Sequence, residues 1–186
     1  MEIVQLGSET LRQKSETVTE ITEGVKKLVS DMFSVMIAAN GVGLAAPQVG
    51  VLKRLFIVRV DDGIRRTFIN PQILETSEET EPSEEGCLSI RGVWYTITRP
   101  KRVKIQALDE NGKPFTLDAE GPLGRAIQHE NDHLNGILYI DYADADFRQK
   151  TIEQFQRRAA RREEKLAIKK AKSARIAAKN ANKEGR

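Results

Sequence analysis

The two histidines of the chain, His129 and His133, lie together in the segment 128–133, which reads Q-H-E-N-D-H. Residues four apart on an α-helix are just over one turn apart, so both imidazoles leave the same face and can bind one ion. Glu130 lies on the neighbouring side of the helix, within reach of a water molecule on that ion. This is the H-E-x-x-H arrangement of metal-dependent hydrolases, in which the histidines bind the metal and the glutamate moves protons.

The residues around this motif predict a half-buried helix. Pro122 lies near its start, where the missing N–H of proline costs little, and Asn135-Gly136 provides a natural end. Two histidines on such a helix need partners, and one metal ion would satisfy both. This disfavours the alternative of a solvated polar helix that carries two histidines by chance. The apolar stripe comprises four residues, Leu123, Ala126, Ile127 and Leu134.

The lone cysteine, Cys87, lies in the segment 85–89, which reads E-G-C-L-S. A single cysteine is most often a small buried apolar residue, and taken alone this segment leaves that interpretation open. Beside a two-histidine helix, however, one cysteine and two histidines form a known ligand set that leaves a fourth position for water. No internal disulfide is possible with one cysteine, which suits a reducing compartment.

A glycine-rich segment, 41–50, reads G-V-G-L-A-A-P-Q-V-G. It is a poor phosphate-binding loop, because it lacks the Lys-Ser/Thr and the spacing of the nucleotide motifs. Its small residues would instead let the backbone approach an extended ligand, and Gln48 can donate an amide N–H to a developing oxyanion. An ordinary connection between a helix and a strand remains the alternative.

The spacing of apolar residues indicates the elements that must position these segments. It predicts an amphipathic helix over 19–39, short strands over 54–60, 65–70, 73–80, 102–108 and 114–118, and then the histidine helix. Turn signals at 61–63 and 109–112 predict antiparallel hairpins. We therefore predict an α+β fold in which antiparallel sheets pack around a central H-E-x-x-H helix.

Charge divides the chain into two predicted regions, a catalytic domain over 1–146 and a basic helical extension over 147–186. The extension holds 14 Lys and Arg against 4 Asp and Glu, whereas the rest of the chain is net acidic. It is either a solvated helix that aids solubility or an arm that binds RNA phosphates. A membrane surface is disfavoured, since no substantial apolar face accompanies the charge. The N-terminus lacks the pattern of a signal peptide.

Three segments in this order and spacing resemble the peptide deformylases of bacterial type: G-V-G-L-A-A-P-Q (41–48), E-G-C-L-S (85–89) and Q-H-E-N-D-H-L (128–134). The resemblance covers 1–142. It implies a hydrolase that removes the formyl group from N-formylmethionyl nascent chains and releases formate. Separately, we expect a monomer, and the lack of a targeting segment favours the cytoplasm. The resemblance also implies one Fe(2+) per chain, which zinc, nickel or cobalt can replace, whereas ligand chemistry alone points to zinc.

The resemblance also assigns roles to individual residues. Three would bind the metal: Cys87, His129 and His133. Glu130 would act as the base, with the Gln48 amide and the Leu88 backbone N–H stabilising the oxyanion. Glu85 would also pair with Arg99. The substrate would contact Val42, Gly43, Glu85 and Gly86.

Basic C-terminal helices in this family are thought to dock on the ribosome, which implies contact between the extension and ribosomal RNA. Two rival functions stay open at this point. A zinc endopeptidase shares H-E-x-x-H, but its third ligand is usually a downstream Glu or His. A ribosome-binding factor without catalytic activity is disfavoured by the intact motif residues.

The sequence departs from the family pattern at four positions. Arg91 stands where proline is usual, and Trp94 stands where a basic residue is often found, so the family's contacts beyond methionine are not carried over. Pro122 and Gly124 replace apolar residues ahead of the histidines.

Overall fold

In a computed structural model, the backbone is described for residues 1–184 and the side chains for residues 1–173. Over this part of the chain, helices and antiparallel strands combine in the α+β class that the sequence predicts. The helices are α1 (Glu23–Ala38), α2 (Gly121–Leu134) and α3 (Ala145–Glu184). The strands are β1 (Gly43–Ala45), β2 (Leu55–Val58), β3 (Arg66–Thr76), β4 (Thr80–Cys87), β5 (Ile90–Pro100), β6 (Arg102–Leu108) and β7 (Pro114–Glu120). Short 3-10 helices cover Glu9–Arg12, Ala46–Val49 and Tyr139–Tyr142.

Five strands form one antiparallel sheet in the order β1-β2-β3-β6-β7. The turn signals at 61–63 and 109–112 lie between the paired strands β2 and β3 and between β6 and β7, as predicted. The prediction of separate strands over 65–70 and 73–80 was wrong, because β3 runs through Asn70 and Pro71. A shift of register between Ile69 and Gln72 absorbs the irregularity, and Asn70 takes a positive φ of 51° there.

Strands β4 and β5 form a separate two-stranded ribbon. The acidic residues Glu84 and Glu85, just ahead of Cys87, lie within β4 rather than in a turn. Most of β4 is exposed, so its sequence lacks the alternation of apolar and polar residues that marks a half-buried strand. The ribbon carries Cys87 at its end and thereby positions it.

Helix α1 packs on one part of the sheet. It begins at Glu23, four residues after the predicted start, because the Thr22 side chain accepts a hydrogen bond from the Val25 N–H (3.4 Å) and caps the helix. Its buried face joins β1 and β2 in a core of Val18, Val25, Val29, Met32, Phe33, Met36, Leu44, Ala46, Leu55, Ile57 and Ile69. This core lies directly beside the glycine-rich segment.

Helix α2 packs on the sheet in a second core with β1, β2, β3, β6 and β7. Gly124 allows its close approach, since a Cβ there would lie 2.9 Å from the carbonyl oxygen of Ala119. The departure from an apolar residue at this position therefore has a packing reason. The second core comprises Ala45, Phe56, Val58, Phe68, Val103, Ile105, Ala107, Ala119, Ala126, Ile127 and Leu134.

Packing divides the chain into two compact units, Met1–Arg148 and Gln149–Arg186. The first contains both cores and all the segments singled out above. The second consists of most of α3, whose described surface is mainly charged and also exposes Leu166 and Ile168. No helix within residues 1–184 is both long and apolar enough to cross a membrane.

Candidate metal centre

Helix α2 and the end of β4 bring three side chains together: Cys87, His129 and His133. One possible ligand atom from each lies within 4.8 Å of the other two, and Cys87 Sγ is 3.4 Å from His133 Nε2. Both histidines are buried, as their places on the inner face of α2 require. A register shift in the ribbon between Gly86 and Cys87 disturbs the regular pairing at this point, as bulges that re-aim a side chain do.

The donor set fits a divalent transition metal, since one thiolate and two imidazoles suit zinc or iron. Burial lowers the pKa of His133, which favours the neutral ring that binds metal. Burial also opposes the charged form of His129, but hydrogen bonds to Cys87 and Glu85 outweigh it and raise that pKa. A bound cation would take the place of this proton, because metal ligands bind in their deprotonated forms.

The buried carboxylate of Glu85 orients His129. Its Oε2 accepts from His129 Nδ1 at 2.9 Å, which leaves Nε2 for an ion. The implied pair with Arg99 is present and bidentate, at 2.6 and 3.0 Å, and Arg125 Nη1 adds a third donor at 2.8 Å. Burial disfavours the charged carboxylate, yet the hydrogen bonds from His129 and Arg99 outweigh it and lower the pKa of Glu85 to about 2.

Several of these partners were missed by the sequence analysis. Arg125 precedes His129 by four residues, so the same helical spacing that pairs the histidines would have placed it on their face. Asp132 accepts from Arg99 Nη1 at 2.8 Å. Tyr139 stacks on the His129 ring, with centroids 6.0 Å apart, and comes from a 3-10 helix that no spacing rule connects to α2.

Glu130 follows His129 on α2, but its carboxyl group makes no pairing comparable to that of Glu85. Its side chain is 4% exposed, and its Oε2 has no hydrogen-bond partner among the described residues. Burial raises the pKa of Glu130 to about 7. Gly43 of β1 leaves the space that this carboxylate occupies, because a Cβ there would collide with Glu130 Oε1. A carboxyl group with a pKa near neutrality can both accept and release a proton.

The side-chain amide of Gln48 is held in one orientation beside Cys87. Its Oε1 accepts from the Ala45 N–H at 2.8 Å, which turns Nε2 towards Cys87 Sγ and Ser89 Oγ, both at 3.3 Å. The amide N–H groups therefore point to the edge of the donor cluster.

The N-terminal segment fastens the backbone around Gln48 and Leu88, through contacts that no motif in the sequence predicts. The Val4 N–H donates to the Gln48 carbonyl at 2.9 Å, and Gln5 Nε2 donates to the Leu88 carbonyl at 3.2 Å. The Leu6 N–H donates to the Ser89 carbonyl at 2.9 Å. Residues 4–6 thus hold together two segments that lie 40 positions apart in the chain.

A cavity of about 730 Å³ opens over these residues. His129 and Glu130 line it, with Val42 and Gly43 from the glycine-rich segment and Gly86 from the ribbon. Its size suits a ligand of a few amino acids. The predicted site residues Gln48, Glu85, Cys87 and Leu88 also line it, whereas His133 lies deeper.

Comparisons with known proteins agree on one family. Residues 1–149 match the family model described as polypeptide deformylase. The peptide deformylase of Treponema pallidum (strain Nichols) is 49% identical over 155 residues, covering 83% of this chain and 95% of the relative. Peptide deformylase 1 of Clostridium perfringens (strain 13 / Type A) is 55% identical over 135 residues, 72% of this chain and 91% of the relative. A crystal structure of the Ehrlichia chaffeensis peptide deformylase in complex with actinonin superimposes with a TM-score of 0.83 at 38% identity, over 85% and 96% of the two chains.

Proposed function

The chain belongs to the polypeptide deformylase family, metal-dependent hydrolases that remove the N-formyl group from nascent peptides, and we propose how its own residues carry out this reaction. Cys87, His129 and His133 would hold the metal ion. The observation that carries this proposal is the convergence of their three ligand atoms within 4.8 Å, beside a buried carboxyl group with an unpartnered oxygen.

Glu130 would move the protons of the hydrolysis. A divalent ion, when bound, would act as a Lewis acid on the formyl oxygen and on the attacking water. The Glu130 carboxylate takes a proton as the water oxygen bonds to the formyl carbon, and returns it to the α-amine as the C–N bond breaks. The products are formate and a free N-terminus. Burial, which raises the pKa of Glu130 to about 7, suits both transfers near neutral pH.

Gln48 and Leu88 would stabilise the negative charge that develops on the formyl oxygen. The Ala45 N–H fixes the Gln48 amide at 2.8 Å, and one of its N–H groups would turn from Cys87 Sγ or Ser89 Oγ to the developing oxyanion. The backbone N–H of Leu88 adds a second donor beside Cys87. The N-terminal segment, through its bond to the Leu88 carbonyl, keeps this donor in place.

The substrate would lie extended across the cavity. Gly43 lies in β1 at the edge of the sheet, so its backbone would pair with an extended peptide, and Val42, 53% exposed, would contact the methionine. Gly86 and Glu85 of β4 would form the opposite side, with Glu85 acting mainly by holding His129.

Formate release from formyl-Met-Ala-Ser by the anaerobically purified, Fe(2+)-loaded protein tests these roles. The parent should release formate, and Glu130→Gln should lose activity by a factor on the order of 10² or more while it still binds one metal per chain. Cys87→Ala should lose the metal itself. An active Glu130→Gln variant at full metal occupancy would contradict the role of Glu130.

For the ion itself we propose Fe(2+), which zinc, nickel or cobalt can replace. One thiolate and two neutral imidazoles suit all four ions, and the choice of iron follows the family resemblance. Elemental analysis of protein purified without air checks it. Zinc at full occupancy, with no gain in activity on exchange for iron, would overturn the assignment.

We also propose a monomeric enzyme that acts in the cytoplasm, where nascent formylated chains emerge from the ribosome. The described site needs no second chain, because both cores and every site residue belong to Met1–Arg148. Sedimentation at micromolar concentration tests the monomer, and fractionation of cells tests the location.

The extension would bind ribosomal RNA through its cationic side chains. On the described part of α3, Lys150, Arg157, Arg158 and Arg161 line one groove together with Glu153 and Gln154. Arg175, a further basic residue of the extension that would belong to this surface, lies outside the residues with described side chains. Truncation after residue 148 should abolish binding to 70S ribosomes, and the binding of the full chain should fall steeply with salt. Equal binding by the truncated protein would refute the proposal.

A further inference from the structure

Trp94 is an exposed aromatic residue beside the catalytic site. In the register of the ribbon it stands opposite Gly86, the residue immediately before Cys87. Its indole lies over that glycine, since a Cβ on Gly86 would come within 2.6–2.9 Å of three atoms of the six-membered ring. Yet 60% of the residue remains exposed, the second-highest value among the large apolar side chains given for the described part of the chain.

The exposed ring forms part of the cavity wall, which indicates what covers it. Trp94 lines the same cavity as Gly43, Gly86, His129 and Glu130. An apolar ring left open to water gains free energy when an apolar group packs on it, and aromatic partners gain the most. Because the cavity is where the peptide substrate binds, the substrate is the natural occupant.

The alternation of an extended peptide decides which substrate residue reaches the ring. Successive side chains of an extended chain point to opposite sides, about 3.3 Å apart along its axis, so the first and third side chains share a side. Because the methionine side chain would enter the cavity, the third side chain would also face the cavity wall, whereas the second would point away from it. The third residue also lies about 7 Å further along the chain, which takes it outward from the formyl group.

We propose that Trp94 is a specificity-determining residue, whose indole packs against an apolar, preferably aromatic, side chain at the third position of the formyl-methionyl substrate. The proposal rests on the proposed substrate orientation across the cavity. Charge gives no competing selection on this wall, because acidic Glu81 and Glu84 and basic Arg91 and Lys101 line it together.

The first test compares kcat/KM for formyl-Met-Ala-Phe with that for formyl-Met-Ala-Ser. The parent should prefer phenylalanine by about 3- to 10-fold, a factor that an aromatic contact supplies. Trp94→Ala should bring the ratio to about 1 and Trp94→Phe should keep part of the preference. Both variants should hydrolyse formyl-Met-Ala-Ser at the parental rate, because Trp94 takes no part in the chemistry.

Leu74→Ala is the matched control. Leu74 is an exposed apolar strand residue, 41% exposed, that does not line the cavity. Its replacement should leave the substrate ratio unchanged. A Trp94→Ala ratio equal to that of the parent, or a preference that appears with formyl-Met-Phe-Ser instead, would overturn the assignment of the third residue to Trp94.

A second test reads the contact without catalysis, because Trp94 is the one tryptophan in the chain. Binding of the product peptide Met-Ala-Phe to the metal-loaded protein should shift the emission to shorter wavelength and protect it from acrylamide quenching. Met-Ala-Ser and Met-Phe-Ser, at concentrations that calorimetry shows to be saturating, should leave quenching unchanged. Equal protection by all three peptides, or none by any of them, would overturn the proposal, whereas loss of formate release alone would overturn only the enzymatic roles.

Discussion

Replacement of Gly43 by alanine should inactivate the enzyme by displacing Glu130 rather than by unfolding the protein. Gly43 lies in β1 with an ordinary strand backbone, so alanine brings no conformational strain there. The added Cβ would meet Glu130 Oε1 and would lie 2.8 Å from both Cδ and Cγ of the same side chain. Since the clash involves Cγ as well as the carboxylate, the whole side chain must move.

The size of the effect follows from this displacement. Relief of the contact requires a shift on the order of 1 Å, and misplacement of a catalytic group by that distance costs roughly 10²-fold in rate. The loss should appear mainly in kcat. The free energy of unfolding should fall by about 1–3 kcal/mol, as in other overpacked sites. The metal should stay bound, because the three atoms nearest to the new methyl group all belong to Glu130 and none to Cys87, His129 or His133.

Three assays of Gly43→Ala check these expectations. Formate release measures the loss in kcat, metal analysis measures the retained metal, and urea denaturation measures the free energy of unfolding. Gly24→Ala is the matched control, since a Cβ at Gly24 meets only Thr22 Oγ1, at an ordinary 3.5 Å. That variant should keep full activity and gain slightly in stability, because Gly24 lies within α1. If Gly43→Ala keeps kcat/KM within about threefold of the parent at full metal occupancy, Glu130 does not need its observed position.

Three further predictions concern stability. Arg125→Leu removes the hydrogen bonds to the Glu85 carboxylate and to the carbonyls of Glu81 and Ile97. It should lower the free energy of unfolding, measured in urea, by about 1–3 kcal/mol, with the metal retained. An unchanged free energy would mean that Arg99 alone holds Glu85. Gly136→Ala should lower the free energy of unfolding by about 1–3 kcal/mol more than Gly92→Ala does. Both glycines have a positive φ, but only at Gly136 would a Cβ meet backbone, 2.5 Å from the Arg12 carbonyl oxygen. Equal losses in the two variants would refute the steric argument. Chelation of the metal should lower Tm by roughly 5–15 °C, and added Fe(2+) should restore it. A Tm that does not respond to chelation would argue against a metal bound to the folded state.

The parts of the fold that follow local rules could be predicted, and the exceptions have identifiable causes. The turns at 61–63 and 109–112 join paired strands because their residues suit tight turns. Strand β4 escaped prediction because it is an exposed edge that contains Pro82 and three glutamates within Thr80–Glu85. Strand β1 has three small or apolar buried residues, too few for any periodicity to register.

The candidate site divides in the same way. Helical spacing alone places His129, His133 and Glu130 together, and would have placed Arg125 with them. No spacing rule brings in Cys87, which lies 42 positions before His129; the lone cysteine was singled out by its rarity and by the family resemblance. Tyr139 and the N-terminal contacts to Gln48 and Leu88 depend on tertiary packing, so only the structure could supply them.

The buried network around Glu85 contributes more to the position of the site residues than to the stability of the fold. A buried ion pair contributes little net stability, because the loss of hydration offsets most of the attraction between the charges. Glu85 and Arg99 are both nearly inaccessible, so the pair is poorly explained as a stabilising device. What the network does achieve is geometric: one carboxylate fixes the His129 ring through Nδ1 and is itself fixed by two arginines from β5 and α2. The ribbon that carries Cys87 and the helix that carries His129 and His133 are thereby locked together.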